Sequence, residues 1–354
     1  MSAFSFSFSG DDIEDTLVTD VSPESVLRSH AAETGTLQRA IPTSSAFPIA
    51  GQPLLQPQTH DLQTMLRALP SKIVYSTLII KLDDGTKISI PRRELWDVRV
   101  QLMAEEDDEG LGNLGKDDVK TGVYEGGFKS WESSVDVVKV LHGRKEDVGF
   151  SGKVLELGCG TALPSLAVLQ WLLEDPNSTG ALNLGLADYN PTVLQLVTLP
   201  NILLSWAQVT RNDSWEAEGE LDLDEEVIKE FLASLESHHV RLSFFSGAWS
   251  PEFVGLVKED MSSLASRLTI VGAETIYSPA ALKSFAETLM SLLGSMPDDE
   301  RTSLVAAKKV YFGVGGSMED FCEMVRLQGA TVGQIREESD GVRRAVVEVK
   351  MPSN

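Results

Sequence analysis

A nine-residue segment, residues 153–161, constrains the fold of this chain more than any other. It reads Lys-Val-Leu-Glu-Leu-Gly-Cys-Gly-Thr, an apolar run that ends in Gly158 and Gly160, and an apolar helical pattern follows it. This pattern predicts a buried strand, a glycine turn and a helix. Glycine is favoured in the turn because it tolerates the required dihedrals and lets a ligand approach the backbone. Free N–H groups at the helix start favour electron-rich ligand groups, so we predict a ligand site at this turn.

Two features of the segment discriminate between its possible ligands. A GxG turn occurs in dinucleotide sites, in S-adenosylmethionine (SAM) sites and in plain tight turns. The dinucleotide fingerprint has a third glycine at the position where this chain has Leu163, followed by Pro164. Glu156 ends the buried strand with an acid, which would repel a phosphate and suits a cation such as the α-amino group of SAM. We therefore predict SAM as the cofactor, bound by Glu156, Gly158 and Gly160.

Composition narrows the partners and the compartment. The net charge of −23, from 30 basic and 53 acidic residues, argues against nucleic acid as the main partner and favours a basic one, although solubility alone would also explain it. Cys159 and Cys322 are the only cysteines, so we predict neither a disulfide framework nor a metal cluster. No apolar run approaches roughly 18 residues and no signal peptide is evident. We expect a monomeric, cytoplasmic protein with the nucleus as a second compartment, and no membrane contact.

The chain divides into three regions by composition. Residues 1–60 have few periodic apolar positions and seven acidic against two basic residues, so we predict a disordered acidic tail. Residues 61–119 predict an accessory unit with a short helix, a hairpin turning at Asp84-Gly85 and a helix starting at Pro91. Residues 120–354 predict the main domain. Within it, residues 211–238 carry ten acidic and two basic residues and predict an insertion, either a solvated helix or a contact for a basic substrate.

Strands and helices alternate through the main domain. Five apolar strands, the last spanning about residues 303–312, are followed by a terminal hairpin. Alternation of this kind predicts a mainly parallel sheet with helices on both faces. The fold class is therefore α/β, a Rossmann-like, seven-stranded, mostly parallel sheet with a terminal antiparallel hairpin.

Polar residues follow the second strand at Asp188-Tyr189-Asn190. An acid at this position holds ribose hydroxyls in nucleoside-binding α/β folds. The separation of 30 residues from Gly158 exceeds the spacing of about 20 found in dinucleotide sites. A helix cap is the alternative role, since Asp and Asn often precede a helix.

Three further sites lie outside the first two strands. Gly247 and Trp249 follow the third strand, where an adenine would lie. Glu274 and Tyr277 follow the fourth, central strand, where this architecture places its chemistry. A loop with two glycines leads into Lys129, Trp131 and Glu132 at the start of a helix pattern. This loop would cover a cationic ligand, or it is an ordinary helix start with a core tryptophan.

Together these motifs resemble the seven-strand class I SAM-dependent methyltransferases over about residues 120–350. The loop at Trp131, the Gly247-x-Trp249 pair and Glu274-x-x-Tyr277 resemble the branch that methylates protein side chains. The Ser/Phe-rich start, residues 126–132 and residues 311–316 resemble the protein-histidine methyltransferases that modify a large-subunit ribosomal protein. Many lysine-modifying relatives carry Asp at the position of Glu274, so that position alone does not identify the acceptor.

The resemblance implies a role for each cofactor-site residue. Glu156 would bind the α-amino group of SAM, Asp188 the ribose hydroxyls, and Trp249 would flank the adenine. Trp131 and Glu132 would close the site. The full set of implied cofactor contacts is Lys129, Trp131, Glu132, Glu156, Gly158, Gly160, Asp188, Tyr189, Asn190, Gly247 and Trp249.

The resemblance also implies the reaction. Glu274 and Tyr277 would orient the acceptor during transfer of a methyl group to a histidine nitrogen. The implied substrate is a basic protein, specifically a ribosomal protein. A protein-lysine N-methyltransferase of the same branch and a catalytically silent binding scaffold are the alternatives.

Overall fold

A computed structural model describes residues 54–104, 119–120, 124–125, 127–145, 152–175, 180–211, 215–261, 267–295, 301–311 and 316–352. Most of the predicted tail, including the Ser/Phe-rich start, lies outside the described residues, as do Gly126 and most of the 311–316 motif.

The described residues form helices and strands in alternation. The helices are α1 (Leu62–Arg67), α2 (Leu95–Ala104), α3 (Glu132–Gly143), α4 (Leu163–Glu174), α5 (Pro191–Thr210), α6 (Glu225–Ser237), α7 (Pro251–Met261), α8 (Pro279–Ser295) and α9 (Met318–Leu327). The strands are β1 (Gln58–His60), β2 (Lys72–Lys81), β3 (Lys87–Arg93), β4 (Val119–Lys120), β5 (Tyr124–Glu125), β6 (Gly152–Leu157), β7 (Leu182–Asp188), β8 (Glu218–Asp222), β9 (Val240–Ser246), β10 (Leu268–Ala273), β11 (Arg301–Lys308), β12 (Thr331–Glu338) and β13 (Arg344–Lys350).

The main sheet confirms the predicted α/β class. Its strand order is β1-β9-β7-β6-β10-β11-β13-β12. The five strands from β9 to β11 are parallel, and β13 runs antiparallel between β11 and β12. Every residue of β6 and β7 is buried, as expected for parallel strands covered on both faces. Helices α3 to α6 contribute to the core on one face, and α7 to α9 to the core on the other.

The sheet has eight strands among the described residues rather than the predicted seven. The additional strand, β1, pairs antiparallel with β9, with Thr59 opposite Phe245. It lies within residues 1–60, which the sequence assigns to the disordered tail, so that assignment does not hold for Gln58–His60. Three polar residues carry no apolar periodicity. Backbone pairing at a sheet edge holds β1, and sequence patterns do not show such pairing.

A second sheet has the order β3-β2-β8. The predicted hairpin turn is present, with Asp84 Oδ1 accepting from the backbone N–H of Thr86 at 2.9 Å. The predicted helix start at Pro91 is wrong. Pro91 lies in β3 opposite Thr77, and α2 begins at Leu95. Proline is tolerated on an edge strand because no ladder donor is needed there.

The acidic insertion contains the predicted helix, α6, and contributes β8 to the second sheet. The sequence did not predict β8, because its residues Glu-Gly-Glu-Leu-Asp have low strand propensity. Predicted strand five also extended too far, since β11 ends at Lys308.

Helix α5 carries a π-helical turn over Leu194–Thr198. The sequence predicts a kink at Pro200, and the widened turn precedes that proline, whose ring and missing N–H an ordinary helix accommodates poorly. The helix Pro191–Thr210 is long and apolar enough to cross a membrane, but 78% of its apolar window is buried inside the protein. It is packed as a core helix.

Candidate active site

The glycine turn after β6 has the backbone geometry that its sequence predicts. Gly158 and Gly160 have φ of 68° and 51°, in the left-handed region that favours glycine. A methyl group at Gly158 would lie 2.9 Å from Thr275 Cγ2, and one at Gly160 would lie 3.0 Å from the Gly127 carbonyl oxygen. The turn therefore needs glycine because the protein itself packs closely on it, a reason that adds to the predicted approach of a ligand.

The loop before α3 lies directly over this turn. Gly127 makes the close backbone approach to Gly160, and the Ser130 and Thr161 hydroxyls are 2.8 Å apart. Trp131 is the residue immediately before α3. The structure thus brings this predicted loop onto the turn. The Lys129 side chain is exposed at the same place.

Glu156 is buried beneath the turn, with only 2% of the residue exposed. Its carboxylate accepts from the Ser165 backbone N–H at 3.1 Å and from the Ser165 hydroxyl at 2.5 Å. Burial raises the pKa of Glu156 to about 8, and the nearby Asp188 adds to the shift. Among the described residues, no ion pair involves Glu156. A cationic ligand beside this carboxyl group would favour its ionised form.

Asp188 and Asn190 have separate roles at the end of β7. Asn190 is the helix cap, since its side chain accepts from the Thr192 backbone N–H at 2.9 Å. Asp188 is buried and its two oxygens accept from the backbone N–H groups of Gly160 and Asn190, each at 3.1 Å. Asp188 therefore joins the glycine turn to β7. Because Asn190 caps the helix, contact with the ribose hydroxyls of the cofactor stays the predicted role of Asp188.

Tyr189 and Gly247 contact the segment that precedes β1. The Tyr189 hydroxyl accepts from the Leu55 backbone N–H at 3.2 Å, and the Tyr189 carbonyl accepts from Gly247 N–H at 3.0 Å. The Leu55 carbonyl in turn accepts from Ala248 N–H at 2.9 Å. Residues 55–57 thus cross the carboxyl ends of β7 and β9, beside the predicted ribose and adenine positions.

Trp249 is buried, with its ring centroid 5.5 Å from that of Phe285. Its ring edge lies close to Gly158, since a methyl group there would be 3.7 Å from Trp249 Cζ2. The ring therefore packs under the glycine turn. The predicted contact with adenine stays a prediction.

We expect Gly247→Ala to displace residues 55–57. Gly247 has φ of 97°, and an added methyl group would lie 2.5 Å from the Gln56 carbonyl oxygen. We expect the free energy of unfolding to fall by about 2 kcal/mol, measured by urea titration, and SAM affinity to fall with it. Gly85→Ala is the matched control, because Gly85 has φ of 85° with nothing within 4 Å of the added methyl. Equal losses in both variants would show that backbone strain alone is responsible.

Glu274 occupies the predicted catalytic position after β10. It has φ of 57°, which is unusual for a residue with a side chain. The Tyr311 hydroxyl donates to Glu274 Oε2 at 2.5 Å, and the Ser133 hydroxyl donates to Oε1. Burial raises the pKa of Glu274. Burial and Glu274 together raise the pKa of Tyr311 well above its usual range.

Two positive charges lie beside this cluster. Lys308 Nζ is 5.5 Å from the Trp131 ring centroid and 5.9 Å from the Tyr311 ring centroid. Arg344 of β13 pairs with Glu132 and with Asp136, each at 2.7 Å. Glu132 therefore joins α3 to the terminal hairpin. Closure of the cofactor site by Glu132 stays a prediction.

The predicted residues thus form two neighbouring groups along the carboxyl edge of the sheet. The first group is the glycine turn with Glu156 and Asp188, and the second is the cluster around Glu274. The glycine turn lies between Asp188 on the β7 side and Glu274 on the β10 side, and Thr275 contacts the turn. Tyr277 lies near Tyr311, whose pKa it helps to raise.

Three residues of the second group were not predicted as site residues. Ser133 directly follows the Trp131-Glu132 pair, and Tyr311 opens a motif that supported the resemblance, so both had a local signal. Lys308 had none, because only the sheet order places the end of β11 beside the end of β10.

The described residues fit a SAM molecule. A buried carboxyl without an ion pair, Glu156, lies under a left-handed glycine turn, and a second carboxylate ends the adjacent strand. The first suits a cationic amino group and the second suits vicinal hydroxyls. Among the described residues, no group of three or more metal-ligating side chains is found.

Comparison with known proteins identifies the family. The chain is 32% identical over 342 residues to histidine protein methyltransferase 1 of Saccharomyces cerevisiae, covering 90% of this chain and 89% of that protein. It is 35% identical over 272 residues to the protein of the same name from Schizosaccharomyces pombe, covering 75% of each chain. A SAM-dependent methyltransferase structure from Agrobacterium tumefaciens matches 78% of this chain and 71% of its own at 12% identity, with a TM-score of 0.40. No family model matches the chain. Because the match to the Saccharomyces cerevisiae protein is 32% identical and covers 89% of that protein, the chain belongs to the histidine protein methyltransferase family.

Proposed function

We propose that this protein, a SAM-dependent protein-histidine N-methyltransferase, acts on a basic protein of the large ribosomal subunit. The observation that carries the choice of site is the Glu274, Tyr311 and Ser133 cluster directly beside the glycine turn. The net charge of −23 supports a basic substrate, because opposite charges accelerate association and favour the correct partner.

The chain's own residues account for binding of the cofactor. When bound, SAM supplies a methyl group on a sulfonium centre. In the proposal Glu156 holds the α-amino group, and Asp188 holds the ribose hydroxyls while it keeps the glycine turn against β7. The loop at Trp131 covers the turn and excludes water from it.

Glu274 orients the acceptor. Each carboxylate oxygen already accepts one hydrogen bond, from Ser133 or Tyr311, and retains a further lone pair. That lone pair can accept the N–H of an imidazole, which turns the other ring nitrogen and its lone pair toward the methyl group. Positioning of this kind supplies much of the catalysis, since a neutral imidazole needs no base to become a nucleophile. Tyr277 lies beside this cluster, near Tyr311, and in the proposal it also helps to orient the acceptor.

The proposal predicts methylhistidine in a ribosomal protein. We would incubate the purified protein with isotope-labelled SAM and the large-subunit proteins, and map the labelled residue by mass spectrometry. We expect one labelled histidine, and Asp188→Ala should reduce labelling by roughly 100-fold through lost SAM binding. Label on lysine would favour the alternative acceptor. A protein that binds SAM and labels nothing would support the scaffold.

We also propose a cytoplasmic location, with the nucleus as a second compartment, a monomeric state and no direct nucleic-acid contact. The acidic charge supports the last point. Fluorescence imaging of the tagged protein tests the location, and light scattering of the purified protein tests the monomeric state.

A further inference from the structure

Lys308 lies beside Glu274, the residue that orients the acceptor in the proposed function. It is the last residue of β11, and the strand order places its end next to that of β10, where Glu274 is found. Its ammonium group lies over the rings of Trp131 and Tyr311, at 5.5 and 5.9 Å from their centroids. These two rings come from the loop on the glycine turn and from the residue that binds Glu274. In the proposed function, Lys308 therefore lines the acceptor position.

The charges that face Lys308 leave its positive charge only partly balanced. Glu274 is one acid that faces this charge, since the positive charge of Lys308 opposes the rise of the Glu274 pKa caused by burial. Arg344 lies opposite Lys308 in the β11–β13 ladder and is itself paired with Glu132 and Asp136 of α3. Among the described residues, no salt bridge involves Lys308, while its neighbour Lys309 pairs with Glu337 at 2.8 Å. The aromatic rings of Trp131 and Tyr311 complete the surroundings that the structure describes.

We propose that Lys308 is a specificity-determining residue that selects a neutral imidazole over a lysine ammonium group as the acceptor. This inference rests on the proposed function and deepens it. A positive charge at the acceptor position repels an incoming ammonium group. It also lowers the pKa of a bound imidazole, which keeps the ring neutral and its nitrogen lone pair available for the methyl group. A lysine acceptor approaches as a cation, so the same charge weakens its binding, and it must still lose a proton before it can attack.

The first test uses small molecules and needs no turnover. Imidazole and methylammonium are titrated at pH 7.5 into the full-length protein, and the indole N–H signal of Trp131 is followed by NMR, assigned with Trp131→Phe. We expect the wild type to prefer imidazole, and Lys308→Gln to reduce the imidazole-to-methylammonium affinity ratio by about tenfold. Lys309→Gln removes the same charge from the adjacent residue and should leave the ratio unchanged.

The second test follows the acid limb of the pH profile for methylation of the histidine mapped by mass spectrometry. Lys308→Gln should move the midpoint of kcat, which reports the bound acceptor, upward by about one pH unit, because the bound imidazole loses a repelling neighbour. Lys308→Arg should keep the wild-type midpoint and ratio. An unchanged ratio and an unchanged midpoint in Lys308→Gln would overturn the inference. If no histidine is methylated, the proposed function fails while the small-molecule ratio still decides the role of Lys308.

Discussion

Gly160→Ala is expected to lower the affinity for SAM by between roughly tenfold and 100-fold, which is about 1.4 to 2.7 kcal/mol. The residue has φ of 51°, where a side chain costs roughly 1–2 kcal/mol. The added methyl group would also lie 3.0 Å from the Gly127 carbonyl oxygen, a backbone atom that cannot rotate away. Either the turn or the loop over it must move. Isothermal titration calorimetry with SAM measures the loss directly.

Two glycine variants separate strain from contact in this prediction. Gly341 has φ of 72° with nothing within 4 Å of an added methyl, so Gly341→Ala carries the strain without the close approach. Gly255 lies within α7 with nothing within 4 Å, so Gly255→Ala should raise stability by about 0.5–1 kcal/mol. Neither should change SAM affinity. If Gly160→Ala binds SAM as well as these controls do, the turn is not the cofactor site.

The sequence could predict the sheet and the turn because their signals are local. Within β6, and again within β7, the buried residues follow one another in the chain. Glycines mark the end of β6. Strands β1 and β8 could not be predicted in this way. Both are short and polar, and their pairing partners lie far away in the chain, in β9 and β2.

The same distinction applies to the candidate site. Glu156, Asp188 and Glu274 could be selected because each follows or ends an apolar strand. The long-range pairings of the site could not be predicted, since Ser133 reaches Glu274 across 141 residues and Arg344 reaches Glu132 across 212. Such contacts depend on the strand order, which a single sequence does not encode locally.

Glu156→Gln is expected to raise stability near pH 8 and to weaken SAM binding. The pKa of Glu156 is about 8 in the folded protein and about 4.5 when unfolded, so the unfolded chain releases this proton first. The wild-type free energy of unfolding therefore falls as pH rises from about 4.5 to about 8, by up to about 1.4 kcal/mol per pH unit. Glutamine does not titrate, so the variant should gain relative stability across that window, by several kcal/mol in all at pH 8. Urea titrations between pH 5 and 8 measure the difference.

Binding should change in the opposite direction. If Glu156 holds the cationic amino group of SAM, its carboxylate must ionise on binding, and the wild type should release close to one proton between about pH 6 and 7.5. Calorimetry in buffers of different ionisation enthalpy counts that proton. Glu156→Gln should release none and bind SAM roughly tenfold to 100-fold more weakly.

Glu174→Gln provides the control for this pair of effects. Partial burial also raises the pKa of Glu174, an exposed residue at the far end of α4 from the turn, so its loss should change only the pH dependence of stability, and by less. A Glu156→Gln protein that gains stability at pH 8 and still binds SAM with full affinity would show that Glu156 only anchors Ser165 at the start of α4. A loss of binding together with the loss of the released proton would place the cationic group of the cofactor at Glu156, because no structural role of the side chain links the proton to the ligand.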